Sequence, residues 1–190
     1  VAVPLDGALI DRPIGVDTRS AVIRESAALE QCMAQLTAAR VTFRPVPNRS
    51  SSPTCGLTAG GVLGPDMGTA LSIWRRQSLE PAAREILGSD VVQIDHFGAY
   101  ACRPINNGGT STRASAHSQA AALDFSGVRL RDGRRIAVAG DWSGDAPEAR
   151  FLRRIRDDAC RIFGTVLSPD YNAVHRDHLH LEATDTRFCR

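Results

Sequence analysis

Ala121-Ala122-Leu123-Asp124-Phe125-Ser126-Gly127-Val128-Arg129-Leu130-Arg131-Asp132-Gly133-Arg134-Arg135-Ile136-Ala137-Val138-Ala139 sets the fold. Two apolar stretches, 121–130 and 134–139, flank Asp132-Gly133, a dipeptide that signals a two-residue hairpin loop. An antiparallel pair is therefore expected here. Residues 90–103 alternate and begin β-branched, so they read as a strand, and another is expected near 178–183. Helical spacing occurs in separate blocks. Ala28, Leu29, Cys32, Leu36 and Ala39 place one helix at 24–39. A second spans 67–87, where Pro81 breaks, kinks or restarts it. A third opens at Pro147, buries Phe151, Leu152, Ile155, Ala159, Ile162 and Phe163 on one face, and ends at Gly164. Strands and helices in separate blocks predict an α+β fold, an antiparallel sheet with helices packed on one side. Val41-Thr42-Phe43 reads as a short strand ended by Pro45 and Pro47, and 48–66 as a loop with one strand near Cys55. Residues 1–23, with Pro4, Pro13 and Gly15 and no periodicity, read as an extended arm on a single domain at 24–190.

Working outward from Asp124, the chain concentrates its metal-binding chemistry. Ser115-Ala116-His117 precedes Asp124 by one short segment, and His175-Arg176-Asp177-His178-Leu179-His180 follows 50 residues later. Four of the five histidines lie in these two stretches. The seven-residue spacing of His117 and Asp124 is too long for one helical turn, so a turn between them must bring both to one ion, and the small residues at 120–122 permit it. Strand alternation sends His178 and His180 to one face. His117, Asp124 and His180 are the expected ligands of a zinc ion, with a fourth position left for water. Zinc so held lowers the pKa of water to roughly 7 and polarises a scissile carbonyl. Asp177 is the expected proton acceptor, provided it sits in the turn before the strand, because strict alternation turns it away; His178 is the alternative base, and His175 a donor to the oxyanion. His96 reads as an ordinary core or surface histidine.

Composition bounds the alternatives. A chain of 190 residues with 43% apolar and 23% charged residues is one ordinary globular domain. A net charge of +2 gives no basis for nucleic-acid binding, and no apolar run is long enough to span a bilayer. All 23 basic residues are Arg, which removes lysine Schiff-base and lysine general-base chemistry. No leader peptide is visible, and a chain starting at Val1 without Met is silent on secretion. Five widely spaced cysteines, Cys32, Cys55, Cys102, Cys160 and Cys189, contain no C-x-x-C pair. They fit disulfides in an oxidising compartment with at least one thiol left over; Cys160 with Cys189 is the favoured pair, and five buried free thiols the competing reading.

The motif Ser115, His117, Ala122, Asp124, followed by His175, Asp177, His178, His180, resembles the zinc D-alanyl-D-alanine carboxypeptidases and the wider LAS-type peptidoglycan peptidases. Residues from about 25 to 190 more closely resemble the bacterial extensin-like C-terminal domain family, through Ala99–Ile105, Asp141-Trp142 with Pro147–Leu152, and Phe163–Leu167. The resemblance implies a LAS/hedgehog-type zinc peptidase fold, zinc on His117, Asp124 and His180, Asp177 as base, and Arg103 stabilising the developing oxyanion. It further implies a metallopeptidase, a hydrolase of amide bonds in peptidoglycan stem or crosslink peptides, located in the periplasm or elsewhere outside the cytoplasm. A monomer is the expected state. A non-catalytic zinc-containing protein that binds or scaffolds the cell wall is the alternative; hydrolysis of another amide or ester is a third. Trp142 and the loop 106–114 are candidate cleft walls, each set against the plainer reading of a core tryptophan and a mobile surface loop. The peptidase motif often has Gly where this chain has Ala120, and family members carry a cysteine near the position of Pro65, whose absence leaves a thiol unpaired here.

Overall fold

The computed structural model describes residues 8–26, 28–44, 63–101, 103–105 and 113–190. The chain is a mixed α+β domain around an open six-stranded sheet. Its strands are β1 (Val91–Gly98), β2 (Ala122–Leu130), β3 (Arg135–Ala137), β4 (Thr165–Leu167), β5 (Leu179–Glu182) and β6 (Phe188–Cys189). The order is β1-β2-β5-β4-β6, with β3 also on β2. β2 is the spine. Antiparallel β1 runs along one of its edges, and the other is divided between β5, against 122–125, and β3, against 127–129. The expected antiparallel sheet holds for every pair except β4–β6, which is parallel. The exception follows from the path: the chain descends β5, turns, and comes back along the free edge of β4.

The β2–β3 hairpin forms where Asp132-Gly133 predicts it, with a three-residue loop in place of two. Leu130 N–H donates to Arg134 O at 2.9 Å, and Gly133 takes φ of 91°, the glycine position of a three-residue turn. Gly127 marks a second close approach, because a Cβ there would meet Ile136 O of β3 at 2.2 Å.

The helices are α1 (Thr18–Ser26), α2 (Leu29–Ala38), α3 (Pro65–Trp74), α4 (Glu80–Ala82), α5 (Val138–Asp141) and α6 (Pro147–Ile162). The single helix expected at 24–39 is thus two. Residues 67–87 form one helical run through Pro81, because π turns at Arg75–Leu79 and Ala83–Leu87 widen the ladder where proline has no N–H to give. Gly88, left-handed at φ 68°, closes it. α6 matches its expected face, burying Phe151, Leu152, Ile155, Ala159 and Ile162. Gly164 acts differently from expectation. It is no left-handed cap; a Cβ there would meet Thr184 O at 2.0 Å, so glycine lets β4 pass close to the segment after β5.

Trp74 is the centre of the core. It meets Phe125 edge-on at 5.0 Å and Phe163 at 6.0 Å, and its Nε1 donates to Ile155 O at 2.8 Å. Alternation in β2, β4 and β5 puts Leu123, Phe125, Val166, Leu179 and Leu181 on this buried side. Of the arm expected at 1–23, the described residues from Ala8 onward lie on the domain in helical turns in place of an extended chain. Leu9 and Ile10 are 3% and 0% exposed in a 3-10 turn, Leu9 N–H donates to Gln35 Oε1 at 2.7 Å, and the chain is helical from Thr18. Burying two such side chains contributes about 1.5–3 kcal/mol each, enough to hold a segment without periodicity. Residues 41–44 form no strand, and the strand expected near Cys55 lies outside the described residues.

Candidate metal centre

The alternation that buries Leu123, Phe125, Leu179 and Leu181 sends Asp124, His180 and Glu182 to the opposite face of the sheet. Asp124 and His180 are register partners on β2 and β5, so the ladder itself brings them together. His117 arrives from the 3-10 turn Ala116–Gln119, whose Ser115 Oγ accepts from His117 N–H at 3.3 Å. Ala120 follows in the left-handed region, φ 55°, and turns the chain into β2. Non-glycine residues pay roughly 1–2 kcal/mol for that conformation. Ala120 thus makes a turn that glycine would make without that cost.

Three donor atoms converge. His180 Nδ1 is 2.8 Å from Asp124 Oδ1, His117 Nε2 is 3.2 Å from the same oxygen, and the two ring nitrogens are 3.3 Å apart. Ligands about 2.0–2.1 Å from a tetrahedral zinc lie about 3.3 Å from one another; the two separations from His117 match that spacing, and the 2.8 Å between His180 and Asp124 is a direct hydrogen-bond distance that an ion would widen. Among the described residues these three form the group able to hold a metal ion.

The outer nitrogens fix the tautomers. His117 Nδ1 is 2.8 Å from Ala99 O, which only accepts, so Nδ1 carries the proton and Nε2 presents a lone pair. His180 Nε2 donates to Glu182 Oε1 at 2.9 Å, leaving Nδ1 as the inward donor atom. Carbonyl and carboxylate partners of this kind orient metal-binding imidazoles. Two further histidines repeat the pattern: His178 Nδ1 is held by Asp177 Oδ1 at 2.9 Å and His175 Nδ1 by Asn172 Oδ1 at 2.8 Å. His178 Nε2 then lies 3.7 Å from Asp124 Oδ1.

Charge follows this geometry. Burial alone raises the Asp124 pKa, but hydrogen bonds with His117 and His180 outweigh it and hold the carboxyl far below its usual range. Burial disfavours charge on His180, yet Asp124 and Glu182 together push it up to about 9. Burial raises the half-buried Glu182, but its hydrogen bond and charge interaction with His180 hold it low. His175 falls to about 4, first through burial and then through repulsion from His178 and His180. Asp177 is lowered by its hydrogen bond with His178.

The cluster opens into a cleft of about 330 Å³ lined by Arg103, Ile105, Ser115, Leu167, Tyr171, Val174, His175, His178 and Phe188 among others. Two clefts of the same volume lie elsewhere, around Arg40, Arg75 and Arg76 and around Met33, Phe43 and Leu71, with no such histidine cluster among the described residues. The structure thus gathers His117, Asp124, His180, His175, His178 and Arg103 at one place. Asp177 lies in the turn before β5, as a base would require, but reaches the cleft through His178. Trp142 does not line it; its Nε1 donates to Asp170 Oδ1 at 2.8 Å beside Arg156. Residues 106–112 lie outside the described residues. His96 is exposed on β1. Sequence reasoning missed Glu182, whose signal is the same two-residue alternation continued from His180, and the Ala99 carbonyl, for which a sequence carries no signal.

Cys160 and Cys189 form a disulfide between α6 and β6, the favoured pair. Cys32 is a free, buried thiol, while Cys55 and Cys102 lie outside the described residues. Cys32 Sγ sits 3.7 Å from where a Cβ on Gly68 would be, and it lines the same cavity as Pro65.

An α+β domain with two imidazoles and one carboxylate meeting in an open cleft is the class that fold and site define. Residues 30–190 match the family described as extensin-like protein C-terminus, and the chain belongs to that family. No curated protein and no solved structure matches it. No helix among the described residues is long and apolar enough to cross a membrane.

Proposed function

We propose that the protein is a zinc-dependent peptidase acting on an amide bond in peptidoglycan stem or crosslink peptides, outside the cytoplasm, with a fold of the LAS-type peptidases. The carrying observation is the convergence of His117 Nε2, Asp124 Oδ1 and His180 Nδ1 within 3.3 Å, each histidine held from behind by an acceptor. The motif resemblance and the disulfide support the same reading.

His117, Asp124 and His180 would hold the ion. Zinc there supplies Lewis acidity, polarising a carbonyl and allowing water to ionise near neutral pH. His178 is placed to take a proton: its Nε2 lone pair faces the cluster, and the Asp177 carboxylate behind Nδ1 stabilises the imidazolium that forms. The pair therefore divides the role expected of Asp177 alone. The same imidazolium then protonates the departing amine. Arg103 lines the cleft and provides fixed positive charge for the developing oxyanion. His175, held largely neutral at physiological pH, orients substrate as a neutral imidazole.

A wall-binding protein with a structural ion has no use for a polarised Asp177–His178 pair beside an open cleft. The discriminating experiment measures bound metal, then peptide release from purified sacculi by the native protein and by His178→Ala. Release that depends on zinc and His178 supports catalysis; tight zinc binding with no release above His178→Ala on several sacculus types overturns it.

A further inference from the structure

Ring contacts lead away from the cluster along one wall of the cleft. His180 is 6.0 Å from His175, His175 is 5.8 Å from Tyr171, and Tyr171 is 5.7 Å from Phe188 on β6. Tyr171, Val174 and Phe188 are 43%, 58% and 40% exposed, and Leu167 adds an aliphatic side chain between them and the cluster. Large apolar side chains left open on the rim of a polar site mark contact with a ligand. We infer that β6 and Tyr171 build a specificity wall, which takes an apolar side chain of an extended peptide about three to four residues from the reacting carbonyl. This rests on the peptidase reading and names the kind of peptide it prefers.

The distance comes from the sheet. β5 carries His180, and β6 lies two strands away across β4, where Phe188 is level with Glu182, two residues along from His180. Two strand spacings of about 4.8 Å and that offset put Phe188 roughly 12 Å from His180. An extended chain covers about 3.3 Å per residue, so three to four residues separate the two positions. The chemistry of the wall favours an aliphatic side chain over a sugar ring. Phe188 is met edge-on by Tyr171 at 86°, and the Arg190 guanidinium lies over its ring at 5.3 Å. Its ring is already engaged, and with Val174 and Leu167 it offers an apolar corner in place of a flat stacking platform.

The wall is positioned by the disulfide. β6 is two residues long, held by Phe188 N–H to Gly164 O at 2.9 Å and Arg190 N–H to Val166 O at 3.0 Å. Alternation points Phe188 to the cleft and Cys189 to α6, where Cys160 secures it. Opening the bond removes the covalent tie on the strand that carries Phe188, leaving its hydrogen bonds to β4 alone to position it, without touching the metal cluster.

The test uses capped tetraglycine and its four single-leucine variants, titrated calorimetrically into zinc-loaded native protein, Phe188→Ala, Phe188→Leu and Cys189→Ser, with zinc affinity read by dye competition. Leucine at one outer position should tighten native binding about tenfold over tetraglycine, the scale of a buried aliphatic side chain. Phe188→Ala and Cys189→Ser should reduce that preference to about twofold or less, Phe188→Leu should keep most of it, and zinc affinity should stay within about threefold throughout. An unchanged preference in Phe188→Ala, a preference at inner positions only, no preference in the native protein, or tighter binding of an N-acetylglucosamine tetramer than of any peptide overturns the inference. Selective binding with no hydrolysis of any peptide or sacculus leaves the wall standing and removes the peptidase reading.

Discussion

Glu182 accepts a hydrogen bond from His180 Nε2 at 2.9 Å, and this contact turns the Nδ1 face of His180 toward Asp124 and His117. Both residues sit on β5, two apart, on one face of the sheet. Removing the contact while leaving the three donors intact should loosen metal binding without abolishing it. Glu182→Gln is expected to weaken zinc affinity about 10-fold and Glu182→Ala about 100-fold, the range for partners behind metal-binding histidines. Dye-competition titration checks this, and an unchanged affinity in Glu182→Ala would show that His180 needs no support.

Asp124 makes the larger contribution. It is the shared partner of His117 and His180, so without metal its loss leaves the buried His117 and the half-buried His180 with no anion between them. Asp124→Ala should abolish stoichiometric zinc binding. It should also remove the rise in melting temperature on adding zinc, since binding to the folded state alone raises stability by RT ln(1 + [L]/Kd). Thermal melts with and without zinc for native and Asp124→Ala proteins measure this directly. A zinc-dependent shift surviving in Asp124→Ala would place the ion elsewhere.

Catalysis and metal binding should separate at His178. Its ring lies outside the three-donor group, with Nε2 facing Asp124 and Nδ1 on Asp177. His178→Ala is expected to lower kcat about 10²–10⁴-fold on any peptide the native protein cleaves, and to keep zinc affinity within about threefold. Asp177→Asn should lower kcat less, by weakening the imidazolium's partner and leaving the base in place. If Asp177→Asn is the more damaging change, Asp177 is itself the base.

How far the sequence discloses this site depends on whether side-chain periodicity or backbone position carries the signal. His117, Asp124 and His180 are legible because few other arrangements of their residue types make chemical sense, and because alternation around Leu179 and Leu181 fixes which way His180 points. The hairpin at Asp132-Gly133 and the buried face of α6 are legible for the same reason of period. β4 and β6, three and two residues long, fall below any periodicity, and their place follows from Gly164's contact and the Cys189 bridge. Leu9 and Ile10 read as an arm because burial there depends on α2 and the run through Arg75–Leu79, which lie far along the chain. The division of labour between Asp177 and His178 turns on where β5 begins, a one-residue question that alternation alone cannot answer.

Gly164 gives a stability test independent of metal chemistry. A Cβ at this position would lie 2.0 Å from Thr184 O and 2.7 Å from Thr184 C, both backbone atoms, so the segment after β5 has to move. Gly164→Ala should destabilise the fold by about 1–3 kcal/mol, the scale of overpacking. Chemical denaturation should show it as a lower midpoint, and an unchanged midpoint would mean that β4 and the segment after β5 are not locked at this spacing.

The pH dependence of the metal-free protein has a worked sign. His180 is raised from its ordinary 6.5 to about 9, so its contribution is fully present below about 6.5 and is lost as pH rises through 9. His175 is lowered from 6.5 to about 4, so the folded state resists protonating it, and stability is lost as pH falls from 6.5 through 4. The two slopes oppose, and metal-free stability should peak near pH 6.5. Zinc changes the upper limb, because the Nδ1 atom it would use must be free of its proton. The rise in melting temperature on adding zinc should therefore grow with pH up to about 9, with apparent affinity increasing about tenfold per unit while one proton is displaced. Melts across pH 4–9 with and without zinc test both limbs, and a zinc effect that shrinks as pH rises would mean His180 does not supply that nitrogen.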